Sequence, residues 1–256
     1  MLPSVVSRQV ADSVAAFLRA AFPMNSPLFS ESGNNEGKKP HQTLEQFLQT
    51  PQSLLKGPYL SAQLPFRQST LALDFFAHLS LPFPPHAHQA RAFERLGTAE
   101  PKPTLVATGT GSGKTECFMY PLLNYCAGTP GAGVKAIVIY PMNALATDQA
   151  SRFAKSIASD PQLHGKVTVG LFVGDSEEFP SKRMGADSVI TCKHTLRESP
   201  PDILLTNYKM LDYLLMRPID QPLWRYNQPG TLRYLVVDEL HTFDGAQGSD
   251  LACLVR

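Results

Sequence analysis

Cysteine is scarce and poorly spaced in this chain. Its four cysteines (Cys117, Cys126, Cys192 and Cys253) lie far apart, and no Cys-x-x-Cys pair suggests a zinc site or a disulfide scaffold. Four reduced, partly buried thiols are the expectation. Neither sign of charge is in excess: 23 Lys and Arg stand against 22 Asp and Glu, a formal net charge of +1. That balance neither demands nor excludes nucleic acid, because a local basic groove can hide inside a neutral total. Long apolar runs are missing too. No stretch approaches the roughly 18 residues that a membrane helix needs. Arg8, Asp12 and Arg19 interrupt the first apolar residues, unlike a secretory leader. The expectation is a cytoplasmic protein with no membrane partner. Internal repeats and low-complexity tracts are also absent. What the chain has is 43% hydrophobic residues over 256 positions, enough for a real core in one large domain or one and a half ordinary ones.

The amino-terminal part is organised loosely. Val6, Val10, Val14, Leu18 and Phe22 recur every fourth position, which predicts an amphipathic helix over 5–22. A polar loop from Pro23 to Pro40, a short helix from Thr43 to Leu55 and an irregular, proline- and aromatic-containing lead-in from Gly57 to Pro85 follow. Beyond Pro103 the pattern alternates. Short apolar runs at Thr104–Ala107, Ala136–Tyr140, Val167–Phe172, Ile203–Thr206 and Tyr234–Val237 enclose helical segments at Thr115–Cys126, Ala144–Ser159 and Tyr208–Met216. Nearly continuous apolar strands separated by helices predict an α/β fold with a parallel sheet covered on both faces. Ligands of such sheets sit beyond the carboxyl ends of the strands.

Two stretches carry chemistry. Thr108-Gly109-Thr110-Gly111-Ser112-Gly113-Lys114-Thr115 lies between an apolar strand and a helix. Its glycines let the backbone curl with N–H groups turned inward around an anion, and the helix start adds partial positive charge. Lys114 can reach the outer phosphates of a nucleoside triphosphate, and Thr115 can place its hydroxyl on Mg2+. The second stretch is Asp238-Glu239-Leu240-His241, directly after the strand Tyr234–Val237. A carboxylate at that strand end can hold the same Mg2+ opposite Thr115. Glu239, one residue on, is placed to polarise a water that attacks the γ-phosphate.

Together these motifs resemble the first RecA-like domain of superfamily 2 helicases. More narrowly, the sequence resembles DEAD/DEAH-like DNA helicases of the long-helicase-related and YprA types, over about Pro82 to Arg256. The resemblance implies a RecA-like P-loop NTPase domain at 82–256, preceded by a mostly helical and irregular extension at 1–81. It implies ATP and Mg2+ as cofactors, with Lys114, Asp238 and Glu239 catalytic. Gln89, in Pro-His-Ala-His-Gln, matches the glutamine that reads adenine in the family's Q motif. Nucleic-acid contacts are implied for Pro141 and Asn143 (in Tyr140-Pro-Met-Asn-Ala-Leu-Ala-Thr-Asp-Gln149), for Gly174 beside Asp175, and for Thr206 and Asn207 (in Pro201-Asp-Ile-Leu-Leu-Thr-Asn-Tyr208). Helix capping and turn chemistry explain Asn143, Gly174, Thr206 and Asn207 as well. His241 holds the position that in the family couples nucleotide state to a neighbouring domain.

The sequence also departs from the family. Thr108 stands where Gly or Ala usually opens the loop, and Pro-Thr-Arg-Glu-Leu and Thr-Pro-Gly-Arg, the RNA-helicase signatures, are missing. With Asp-Glu-Leu-His in place of Asp-Glu-Ala-Asp, DNA is favoured over RNA as partner. Motif III and a second RecA-like domain, which carries the arginine finger, lie beyond Arg256 in this family, so the chain alone is expected to bind ATP weakly and hydrolyse it poorly. Two alternatives remain open at this point: a nucleic-acid-binding or assembly module with ATP as a regulatory switch, and an RNA helicase.

Overall fold

The computed structural model describes residues 3–21, 65–70, 74–109, 111–174 and 179–256. The expected loop at 23–40 and helix at 43–55 fall outside the described residues. The chain divides into two compact units, Met1–Pro65 and Phe66–Arg256. In the first, the fourfold apolar spacing does form a helix, α1 (Pro3–Ala21).

The second unit starts at Phe66. Its lead-in has no helix or strand through 85 among the described residues, apart from an isolated bridge between Gln68 and His86. Phe75 and Phe76 set their rings 5.6 and 5.1 Å from that of Phe93, and Leu79 is buried beside them. Residues from the expected extension thus supply part of this core. The regular elements then run α2 (Ala87–Leu96), α3 (Lys114–Gly128), β1 (Ala136–Tyr140), α4 (Asn143–Ser159), β2 (Val169–Phe172), α5 (Lys193–Glu198), β3 (Ile203–Asn207), α6 (Tyr208–Met216), a 3-10 turn (Pro218–Trp224), β4 (Tyr234–Val237), a second 3-10 turn (Leu240–Thr242) and α7 (Gly245–Val255).

The four strands make one parallel sheet in the order β2-β3-β1-β4. Period-2 alternation sends the two sets of side chains to opposite faces. Ala136, Val138 and Tyr140 of β1 join Leu122, Phe153 and Ile157 on one face. Ile137 and Ile139 join Leu211, Leu214 and Leu251 on the other. Both faces are covered, which is why the strands read as unbroken apolar runs. At the amino edge, Asp202 ties three strands together. It accepts from the Lys135 ammonium, and its Oδ2 accepts from Thr168 N and Thr168 Oγ1, both at 2.8 Å. Lys135 and Asp202 are both buried, and each precedes its strand by one residue.

One expected strand is missing. Residues 101–109 have no regular secondary structure, and Leu105 is 79% exposed. A cavity of about 1010 Å³ separates this segment from β4. Thr104–Ala107 has the composition of a strand but no ladder to join: β4 pairs with β1 on one side and has no strand on the other among the described residues.

No helix among the described residues is long and apolar enough to cross a membrane. The four cysteines are free, three of them buried and Cys253 exposed.

Candidate nucleotide site

The site forms where α3 begins and β4 ends. Gly113 caps α3 at φ 77°, in the left-handed region, so the chain can turn directly from loop to helix. A Cβ there would stand 2.4 Å from Gln89 Nε2, so the position also needs glycine for space. Gln89 is 2% exposed. Its Nε2 donates to Gly113 O at 3.1 Å, and its Oε1 accepts from His86 N at 2.8 Å, which also caps α2. Next to it, His88 Nε2 lies 2.9 Å from Ser112 O. Two consecutive α2 residues therefore brace the loop by its carbonyls. Thr108 Oγ1 and Ser112 Oγ, 2.6 Å apart, pin the loop across its width. Gly109 and Gly111 lie along the same turn, Gly111 at φ 74°. Thr110 lies outside the described residues.

Across from the loop, Asp238 N continues the β4 ladder by donating to Ile139 O at 3.0 Å. The chain then turns sharply. Glu239 sits at φ 48°, the only described non-glycine residue with positive φ, and its N donates to Asp238 Oδ1 at 2.9 Å. Its carbonyl accepts from Thr242 N and Oγ1 at 2.9 and 2.8 Å. These bonds hold a conformation that costs a side chain on the order of 1–2 kcal/mol. Glu239 Oε1 lies 4.0 Å from Lys114 Nζ, and Oε2 lies 3.2 Å from His241 Nδ1. Burial pushes the Asp238 carboxyl above its usual value, the Glu239 charge adds to the rise, and the Glu239 amide, Lys114 and Arg152 oppose it.

Lys114, Thr115, Asp238 and Glu239 thus line one cavity of about 370 Å³. Among the described residues no group of three His, Cys, Asp or Glu side chains could cage a metal on its own. One carboxylate and one hydroxyl on the wall of this cavity are the hard oxygen donors that suit Mg2+ shared with a triphosphate, so the residues fit that ion.

The residues proposed to meet nucleic acid gather at the carboxyl ends of β1, β2 and β3. Pro141 follows β1 and Asn143 opens α4. Asn207 Nδ2 donates to Asn143 Oδ1 at 2.8 Å, while its Oδ1 caps α6 by accepting from Met210 N at 2.8 Å. Gly174 O accepts from Lys193 Nζ at 3.3 Å. Thr206 is placed differently: it is fully buried and donates its hydroxyl to Phe172 O at 2.7 Å, so its side chain has no open face.

Three participants escape the motifs. His88 was visible only as the neighbour of Gln89. Glu116 follows Thr115 directly, and Arg152 lies one turn beyond Gln149 on α4. The Gln149 and Arg152 spacing of three residues marks one helix face.

The model of the DEAD/DEAH box helicase family matches residues 86–256. Among curated relatives, Druantia protein DruE of Escherichia coli is 26% identical over 268 aligned positions, 67% of this chain and 15% of that protein. The uncharacterized ATP-dependent helicase YprA of Bacillus subtilis is 29% identical over 171 residues, 67% of this chain and 20% of its own. Among solved structures, Mycobacterium smegmatis helicase Lhr bound to ssDNA and AMP-PNP superposes with a TM-score of 0.50 at 24% identity, over 67% of this chain and 20% of that one, and shares the fold. The chain spans less than a quarter of the length of each of these proteins. With the matched region embracing the loop, the acidic strand end and the sheet between them, this chain belongs to the DEAD/DEAH box helicase family.

Proposed function

We propose that the chain is the ATP-binding half of an ATP-dependent DNA helicase or translocase. The observation that carries this reading is that Lys114, Thr115, Asp238 and Glu239 line one cavity of about 370 Å³. The start of α3 and the backbone amides of the loop that leads into it are the donors for the phosphates in this reading. Lys114 leaves its loose contact with Glu239, at 4.0 Å and partly exposed, to neutralise the outer phosphates. Freed of that contact, Glu239 turns its carboxylate to a water and takes its proton as the water attacks the γ-phosphorus and the bond to the β–γ bridging oxygen breaks, releasing ADP. Thr115 and Asp238 would hold Mg2+, which supplies charge neutralisation at the phosphate oxygens. Gln89 acts here as a brace of the loop, through its bonds to Gly113 O and His86 N.

Asn143, Asn207, Pro141 and the Gly174 turn form the edge along which a strand would run, using side-chain amides and backbone groups suited to phosphate contact without base reading. DNA is favoured by the Asp-Glu-Leu-His sequence and by the shared fold with Lhr, which was solved with ssDNA. A second RecA-like domain is the partner that would close the cleft. The test is ATP binding by Lys114→Ala: loss is expected, and binding equal to wild type would remove the site. Matched single-stranded DNA and RNA compared as stimulators of ATP hydrolysis separate the two nucleic acids, and stimulation by RNA alone would overturn the DNA assignment.

A further inference from the structure

Glu116 is an odd neighbour for an anion site. It follows Thr115 in the first turn of α3, its side chain is 16% exposed, and its Oε2 is buried with no hydrogen-bond partner. The same oxygen lies 2.9 Å from where a Cβ on Gly113 would stand, so the carboxylate packs against the turn of the phosphate loop. An uncompensated charge there repels every phosphate that the loop is built to hold, with little water to screen it.

The compensation comes from α4. Arg152 Nη2 pairs with Glu116 Oε1, while its Nη1 donates to Thr115 Oγ1 at 3.3 Å and to Gln149 Oε1 at 3.1 Å. One guanidinium therefore neutralises Glu116, fixes the Thr115 hydroxyl and is itself aimed by Gln149. Its planar fork suits this threefold task, which a lysine ammonium cannot copy in full. Arg152 lines the same cavity as Lys114 and Asp238. It also joins the nucleotide site to the helix whose first residue, Asn143, bonds to Asn207.

We propose that Arg152 is a positioning residue of the nucleotide site, acting through Glu116 and Thr115. Without it, Glu116 becomes an unpaired negative charge against the phosphate loop. The inference rests on the ATP-binding reading above and adds a residue to it.

The test uses the 256-residue chain and a fluorescent ATP analogue, with ADP and AMP as competitors, in the presence and absence of Mg2+. Arg152→Gln is expected to weaken binding of the triphosphate about tenfold. The loss should shrink from ATP to ADP to AMP, since the repulsion grows with phosphate charge. Glu116→Gln added to Arg152→Gln should recover most of that loss, because it deletes the charge left unpaired. Arg152→Lys keeps the Glu116 pairing and should stay within about threefold of wild type, which keeps the test alive if Arg152→Gln folds poorly. A merely structural tie between α3 and α4 gives the opposite pattern: equal losses for all three nucleotides and a double variant no better than the single. That pattern, or wild-type affinity in Arg152→Gln, overturns the inference while leaving the ATP site intact. Binding unaffected by Lys114→Ala, or no binding at millimolar nucleotide, overturns the ATP reading itself and takes this inference with it.

Discussion

Glu239 carries two demands that pull apart. In the proposed site its carboxylate faces the nucleotide, and its backbone adopts φ 48°, ψ 43° at that turn. The second demand favours glycine, the first excludes it. Glu239→Gly and Glu239→Ala remove the same carboxylate, so the difference between them isolates the backbone. Glu239→Gly is expected to be more stable than Glu239→Ala by about 1 kcal/mol in chemical denaturation, and equal stability would show that the turn is relaxed. Glu239→Gln keeps size and backbone. It should bind ATP as wild type does and lower the hydrolysis rate of the assembled helicase about a hundredfold or more. Asp238 is strained electrically instead. Its raised pKa means that the native state holds a proton that the unfolded chain has already released. Between the ordinary carboxylate value of about 3.9 and the higher native value, stability therefore falls as pH rises. Asp238→Asn deletes the buried charge. It should melt above wild type near neutral pH, and the gain should vanish once the medium is acidic enough to protonate both states. A gain of the same size at every pH would mean that the charge is not the cause. At this scale the sequence was most legible for the two short motifs, since Lys114 and Asp238, 124 positions apart, line one cavity. It was less readable for side chains with several possible partners. Gln89 spends its amide on Gly113 and His86, Thr206 spends its hydroxyl on Phe172, and the pairing of Arg152 with Glu116 joins residues 36 apart in sequence.

Among the elements, legibility follows burial. β1, β3 and α6 stand within a residue of where alternation and helical spacing put them, because each is held by apolar contacts that the pattern itself encodes. Thr104–Ala107 shows the limit. Its apolar run is a sound strand pattern, but a strand exists only where a neighbour offers hydrogen bonds, and pairing between distant segments is not written in either one. The Asp202 clamp was equally invisible, since Lys135, Thr168 and Asp202 meet only after three strands align. Its removal gives a sharp prediction. Asp202→Ala leaves the Lys135 ammonium buried without its counter-charge and takes from Thr168 N and Oγ1 the one oxygen that accepts from both. The expected cost is about 3–5 kcal/mol, read by urea denaturation. Lys135→Met with Asp202→Leu, which deletes both charges, should be far less damaging. A double variant as unstable as Asp202→Ala would show that geometry, not charge, is what the pair supplies.

For the whole second unit, the sheet explains why loop and acidic turn meet. Parallel strands deliver all their carboxyl ends to one edge, so Asn143 after β1, Gly174 after β2, Asn207 at the end of β3 and Asp238 after β4 share that edge although 95 residues of sequence separate the first from the last. The same sheet is unevenly held. β1 and β3 have neighbours on both sides, whereas β4 has β1 alone among the described residues and faces the cavity of about 1010 Å³. Tyr234 and Asp238 turn their N–H groups to Lys135 O and Ile139 O on the β1 side. Alternation then turns those of Leu235 and Val237 toward the cavity, and Leu235 is 41% exposed. Amides with no ladder partner exchange through small local openings, while those between two strands need a larger one. Hydrogen exchange should therefore divide the sheet: Leu235 and Val237 should exchange early together with residues 101–109, and Ile137, Val138 and Leu204 should exchange last. Protection of Leu235 and Val237 equal to that of the central strands would mean that another strand covers the β4 edge in solution, and the cavity beside it would then be a filled position in the sheet.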